Sequence, residues 1–294
     1  MHNIIEELTS TGVVVTDGAW GTQLQERGLA VGACPDAWNL TQPEKVEEVA
    51  RAYVEAGSQV ILTNTFGANR FVLARHGLAE KVAEINRAGV EISRRAADGG
   101  ARVFASIGPS GVMLMMGKVS EAELQAAFAA QAEAIAEAGA DAIVVETMSD
   151  PAEARLAVAA ARATGLPVVA CMTFDSGPKK DRTMMGTTPE QAAQQLTAAG
   201  ADVIGANCGQ GIAGFVEICR RLHAATAQGA PRPVWIKPNA GLPELVDGRT
   251  VYRQTPEQFA AYVPQLVAAG AGFIGGCCGT TPAFIKAVRE RLRR

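Results

Sequence analysis

Eight times along this chain a short, apolar, often β-branched run is followed by a longer Ala-rich stretch with helical spacing, and few folds accommodate that alternation. The runs fall at 13–15, 60–62, 103–105, 142–145, 168–170, 203–204, 234–236 and 273–274. They lack polar alternation, as strands do when a parallel sheet is covered by helices on both faces. Four joints echo one another: AGSQVILTN at 56–64, AGADAIVVE at 138–146, AGADVIGAN at 199–207 and AGAGFIGGC at 269–277. In each, Gly supplies the left-handed helix stop before the next strand. Helix starts are expected at Thr41, Ser120, Asp150, Thr188 and Thr255, each three residues before Glu or Gln, the last three followed by Pro. No low-complexity segment, charge block or Pro/Ser linker divides the units. The pattern predicts an α/β chain forming a single (β/α)8 TIM barrel, one domain over 1–294.

Composition narrows the function. With 294 residues, 48% of them apolar and 19% charged, the chain reads as a folded enzyme and not as a disordered tail or coiled coil. Its 27 basic and 30 acidic residues leave no positive excess for nucleic acid or an anionic membrane. MHNIIEELTSTG has no basic leader region or small-residue cleavage site, and no stretch approaches a membrane span. Six cysteines, two adjacent, do not suit a disulfide framework in a chain of this size, so the expected compartment is the cytoplasm.

A barrel of this kind does its chemistry where strands end and βα loops begin. The strand ends bring Asp17 with Gly18 and Ala19, Asn64 to Phe66, Gly108 with Pro109, Glu146 with Thr147, Thr173 to Asp175, Asn207 with Cys208, Pro238 with Asn239, and Cys277 with Cys278. Cys208 and the Cys277–Cys278 pair lie two strands apart at one height, so three sulfurs can meet. Zinc favours tetrahedral thiolate coordination, and three protein ligands leave a fourth position open, as in catalytic sites. A strained vicinal disulfide at Cys277 and Cys278 is the competing reading, but leaves Cys208 unexplained. Cys34, Cys171 and Cys219 read as buried or loop residues. Three thiolates give a zinc centre of net charge minus one, a poor Lewis acid for carbonyls but electron-rich toward a fourth ligand. The chemistry that fits is alkyl transfer to a metal-held thiolate.

The segments DGAWGTQLQERGL (17–29), YVEAGSQVILTNTFGANR (53–70), SIGPSG (106–111), ETMSDPAEA (146–154), GANCG (205–209), KPNAGLP (237–243) and GGCCGTTP (275–282) carry a resemblance over nearly the whole chain. The sequence resembles the homocysteine S-methyltransferase family, most closely its bacterial betaine enzymes and the homocysteine-binding module of cobalamin-dependent methionine synthase. The resemblance implies Zn2+ held by Cys208, Cys277 and Cys278, and homocysteine converted to methionine. It implies that Asp17 and Glu146 lie near the homocysteine, where a carboxylate can pair with the ammonium, and that backbone amides of Gly18 and Ala19 receive its carboxylate. By the same resemblance Asn239 lies close to the zinc, as a weak fourth ligand or a holder of water. A plainer role for Asp17 and Glu146 is to bond neighbouring amides.

The family divides by methyl donor: betaine, S-methylmethionine, or methyltetrahydrofolate through cobalamin. The chain is expected to have no room for folate or cobalamin domains after its zinc motif, though a separate corrinoid protein can supply methyl groups. A quaternary ammonium donor wants an aromatic cage, for which Trp38 and Phe66 are the candidates. The mammalian betaine enzyme follows its Phe with Tyr, whereas Gly67 follows Phe66 here. A lid anchor at Trp38 and a rim contact at Phe66 are the structural alternatives. Rival functions are exchange with a different thiol, or zinc storage without turnover; homo-oligomers are expected because betaine-type relatives assemble. GQGIAG at 209–214 has dinucleotide-fingerprint spacing, but Lys237 stands where the next strand should end in a carboxylate. His2, His76 and His223 avoid every predicted strand end and read as surface residues.

Overall fold

The computed structural model describes residues 3–227, 231–246 and 249–293. His2 lies outside them. All eight predicted strands form: β1 (Val14–Val15), β2 (Val60–Ile61), β3 (Arg102–Ile107), β4 (Ala142–Met148), β5 (Val168–Met172), β6 (Val203–Gly211), β7 (Val234–Asn239) and, after a short antiparallel hairpin of β8 (Glu244–Val246) and β9 (Arg249–Val251), β10 (Ala271–Ile274). The main sheet runs β1-β10-β7-β6-β5-β4-β3-β2, with parallel pairing throughout. A parallel bridge from Thr16 to Val60 and the bond from Gln59 N–H to the Val15 carbonyl, 2.8 Å, bring the two outer strands together. The arrangement is the (β/α)8 TIM barrel.

Because side chains alternate across a strand, each strand feeds two cores. Val15, Ile61, Val103, Ile143, Val168, Ile204, Val234 and Ile274 pack with the surrounding helices, whereas Val14, Val60, Phe104, Val144, Val169, Val203, Trp235 and Phe273 form a second cluster. Phe104 and Trp235 stack at 6.1 Å although three strands separate β3 from β7 in the sheet, so they meet across the barrel interior. Phe273 adds a third ring, 5.1 Å from Trp235. Gly205 makes room for this layer: a Cβ there would lie 2.4 Å from the Trp235 carbonyl oxygen and 2.7 Å from the Cys171 sulfur. The N-terminal helix Asn3–Thr9 places buried Ile5 in the same cluster and so closes the floor, opposite the strand ends that carry the chemistry.

The helix stops behave as the sequence predicts, with Gly57, Gly139, Gly200 and Gly270 all at positive φ. Capping boxes form at Ser120, Thr188 and Thr255. Two expectations change. Thr41 ends the short helix Trp38–Thr41, and Gln42 is the N-cap of Pro43–Ala56. Asp150 does cap Ala152 N–H, at 2.8 Å, but Glu153 turns inward to accept from the Ser110 amide at 2.8 Å and hydroxyl at 2.5 Å instead of closing a box. Cys171 is buried in β5, Cys219 is buried in the helix Ile212–Ala227, and His76 and His223 are exposed.

Candidate active site

β6 and β10 flank β7, so Cys208 and the Cys277–Cys278 pair arrive at one edge of the barrel mouth. The Cys277 amide donates to the Pro238 carbonyl at 2.7 Å and the Ala240 amide to the Cys278 carbonyl at 2.9 Å, stitching the cysteine loop to the end of β7. The three sulfurs lie within 4.8 Å of one another, with Cys208 and Cys278 3.9 Å apart. Tetrahedral zinc with Zn–S bonds of about 2.3 Å spaces its sulfurs by roughly 3.8 Å, so the trio fits the ion. Hydrogen bonds from Cys277 and Cys278 hold the Cys208 thiol far below its ordinary pKa, while the two donors are pushed up. One thiolate is thus stabilised among three sulfurs, the state a soft cation would extend to all of them. Asn239 is 3% exposed, its side chain hydrogen-bonds Cys208, and its Oδ1 has no partner. That buried orphan oxygen suits a weak ligand.

The glycines around the cysteines do two different jobs. Gly209 and Gly279 bend the chain at φ of +76° and +79°. Gly275 and Gly276 instead permit close approach, since a Cβ would lie 2.0 Å from Thr16 Oγ1 at the first and 2.3 Å from Thr280 Oγ1 at the second. Cys208 itself, like Thr147, sits at φ of +62°, a conformation that costs a non-glycine residue about 1–3 kcal/mol and persists where the surroundings enforce it. Asn207 does so: its Oδ1 accepts the Thr147 amide and its Nδ2 donates to Thr147 Oγ1, both at 2.7 Å. Nδ2 also reaches Glu146 at 3.3 Å and the Cys277 sulfur at 3.8 Å.

The cysteines open onto a cavity of about 450 Å³ lined also by Gly18, Ala19, Trp20, Asp36, Phe66, Ser106, Glu146 and Lys237. Glu146 accepts from Ser106 Oγ at 2.5 Å; burial raises its pKa, with Lys237 and Ser106 opposing. Asp17, expected beside Glu146 as a partner for the substrate ammonium, does not line the cavity and is already engaged. Lys237 Nζ donates to its Oδ1 at 2.5 Å, and the Leu62 amide and Trp20 Nε1 donate to its Oδ2 at 2.7 and 2.8 Å. Burial works against the charge of Lys237, but Asp17 and Glu146 outweigh it and raise its pKa. The Ala19 amide is also taken, by Thr280 Oγ1 at 3.1 Å, and its carbonyl accepts from Tyr53 at 2.7 Å. Gly18 lines the cavity.

Of the expected cage, Phe66 lines the cavity and Trp38 does not. Trp38 opens its own short helix, packs against the outer core and has Lys45 Nζ 5.0 Å over its ring. Trp20, fixed by Asp17, is the tryptophan in the wall. Sequence reasoning missed Trp20, Lys237, Ser106 and Asp36. Only Lys237 carried a signal, a lone charge in the apolar run VWIKPN.

The family model described as homocysteine S-methyltransferase matches residues 14–292. A methionine synthase of Mycobacterium tuberculosis is 33% identical over 301 residues, covering 96% of this chain and 25% of that protein. The chain therefore spans about a quarter of the length of that relative. Betaine–homocysteine S-methyltransferase 1 of Bos taurus is 30% identical over 98% of this chain and 74% of its own length. Among solved structures, the metallated form of the homocysteine methyltransferase MmuM from Escherichia coli superposes with a TM-score of 0.81 at 27% identity, covering 98% of this chain and all of that one. Cysteine trio, barrel and family match agree, and this chain belongs to the homocysteine S-methyltransferase family.

Proposed function

We propose that this chain methylates homocysteine to methionine, with zinc held by Cys208, Cys277 and Cys278. The observation that carries the reading is the cysteine trio at one edge of a cavity that also presents Glu146. Bound zinc would keep the substrate thiol ionised at neutral pH without quenching its nucleophilicity. Glu146 is assigned to the substrate ammonium, because it lines the cavity while Asp17 is bonded internally. Asp17 then acts through Lys237, whose ammonium it holds in the buried wall beside Glu146. Asn207 orients Glu146 and the strained turn at Thr147. The substrate carboxylate is assigned to the first βα loop at Gly18 and Ala19; it would have to displace Thr280 from the Ala19 amide. Asn239, with its unpartnered Oδ1, is assigned to help hold the zinc weakly or to hold a water beside it in the absence of substrate.

Expected donors are betaine or a related methyl-onium compound. The match to methionine synthases favours a second reading, delivery by a separate methylated corrinoid protein. Among the described residues no helix is long and apolar enough to cross a membrane. Methionine formation should be measured with zinc-loaded protein, homocysteine and each donor in turn. Cys278→Ala should lose both its zinc and transfer from every donor; full metal content with full activity in that variant would overturn the mechanism.

A further inference from the structure

We propose that Asp36 is the counter-ion of a cationic methyl donor, so that the donor side of this cavity selects a methyl-onium compound by charge. The inference rests on the proposed function and deepens it. Asp36 is 3% exposed and lines the same cavity as the three cysteines. Its carboxylate accepts the Gly67 amide at 2.9 Å, its own backbone amide and the Cys34 thiol, a weak donor at 3.8 Å, and none of these carries a positive charge. Among the described residues no lysine or arginine pairs with it. The other carboxylates differ: Asp17 and Glu146 share Lys237, and Glu153, bonded twice by Ser110, does not line this cavity. A buried anion without a counter-charge is costly, and one that faces a cavity can recover that cost from a cation bound there. Burial lifts its pKa to about 6, so at neutral pH the carboxylate carries its charge.

The neighbouring residue supports the same ligand. Gly67, whose amide Asp36 accepts, follows Phe66, which is 43% exposed and lines the cavity. The ring lies over Gly108, where a Cβ would come within 2.5 Å of it. Two loops joined by the Gly67–Asp36 bond therefore offer an aromatic ring and a carboxylate to one cavity, the pair that recognises an onium group. In the transfer the N+–CH3 or S+–CH3 bond breaks with its electron pair left on the donor atom, and the homocysteine thiolate forms the new S–CH3 bond. The spent donor atom is neutral, so the attraction that drew the donor in is gone when the product leaves.

The test uses tetramethylammonium, an onium ion without a carboxylate, titrated by calorimetry into zinc-loaded wild type, Asp36→Asn and Phe66→Leu. Asn keeps an oxygen for the Gly67 amide, and zinc content checks that each variant is intact. Binding should weaken at least tenfold in Asp36→Asn and severalfold in Phe66→Leu, with the homocysteine dissociation constant unchanged. Equal affinity in wild type and Asp36→Asn, or no saturable binding to wild type, overturns the proposal. Failure of homocysteine to bind the wild type would reject the methyltransferase reading instead, and is read in a separate titration.

Discussion

Lys237 shows how a single residue can organise a site that its neighbours in sequence do not reveal. It is 2% exposed, its nearest anion is 220 positions away, and its ammonium is the charge shared by Asp17 and Glu146. Removing one partner of a buried pair leaves the other charge uncompensated, typically a loss of about 3–5 kcal/mol. Lys237→Met should lose stability on that scale in urea, and adding Asp17→Asn should restore part of it; wild-type stability in the single variant would show that the pair does not hold the wall. Asp36 makes the opposite prediction. Its folded pKa of about 6 exceeds the ordinary 3.8, so the folded state binds the proton more tightly and stability falls as pH rises between those values. Above pH 6 the cost levels off, at no more than about 3 kcal/mol. Asp36→Asn should therefore melt above the wild type at pH 7.5 and close to it at pH 4. The rim carboxylates Asp17 and Glu146 were legible as strand-end residues, but which one faces the cavity depended on where Lys237 lay.

At the scale of elements, sequence and structure part where two local signals compete. Ser120 and Thr188 each meet a Glu or Gln three residues on and close a capping box. Thr41 has the same spacing, but Pro43 cannot donate a backbone hydrogen bond and starts the helix at N1, which leaves Gln42 as the cap and Thr41 bonded back to the Ala37 carbonyl at 3.1 Å. Ser120→Ala and Thr188→Ala should each cost about 1 kcal/mol of unfolding free energy, whereas Thr41→Ala should stay within about 0.5 kcal/mol. The N-terminal helix Asn3–Thr9 and the β8–β9 hairpin were not predicted. The hairpin's strands are three residues each, too short for a period-two pattern to show. Gly275 is required by Thr16 of the neighbouring strand, whereas Gly276 is required by Thr280 of its own loop.

For the whole molecule, the barrel is expected to stand without the proposed zinc. Its cohesion comes from an apolar layer inside the strands and another beneath the helices, and the cysteines decorate one edge. A chelator should therefore lower the melting temperature, by the equivalent of about 2.7 kcal/mol where free zinc had stood at a hundred times its dissociation constant, yet leave the far-ultraviolet circular dichroism unchanged. Collapse of the helical signal on chelation, as in a zinc finger, would show that the trio holds the fold. The sequence by itself determined the eight strands, their helix stops and the three cysteines at one rim, because burial on both faces, left-handed glycine stops and strand-end placement are each written within a few residues. Only the tertiary structure decided that Asp17 is spent on Lys237, that Trp20 and not Trp38 walls the cavity, and that Asp36 stands there with no lysine or arginine paired to it among the described residues. Those outcomes depend on side chains that barrel closure brings together from distant strands and loops, where Coulombic pairing and space, not local periodicity, choose the partners.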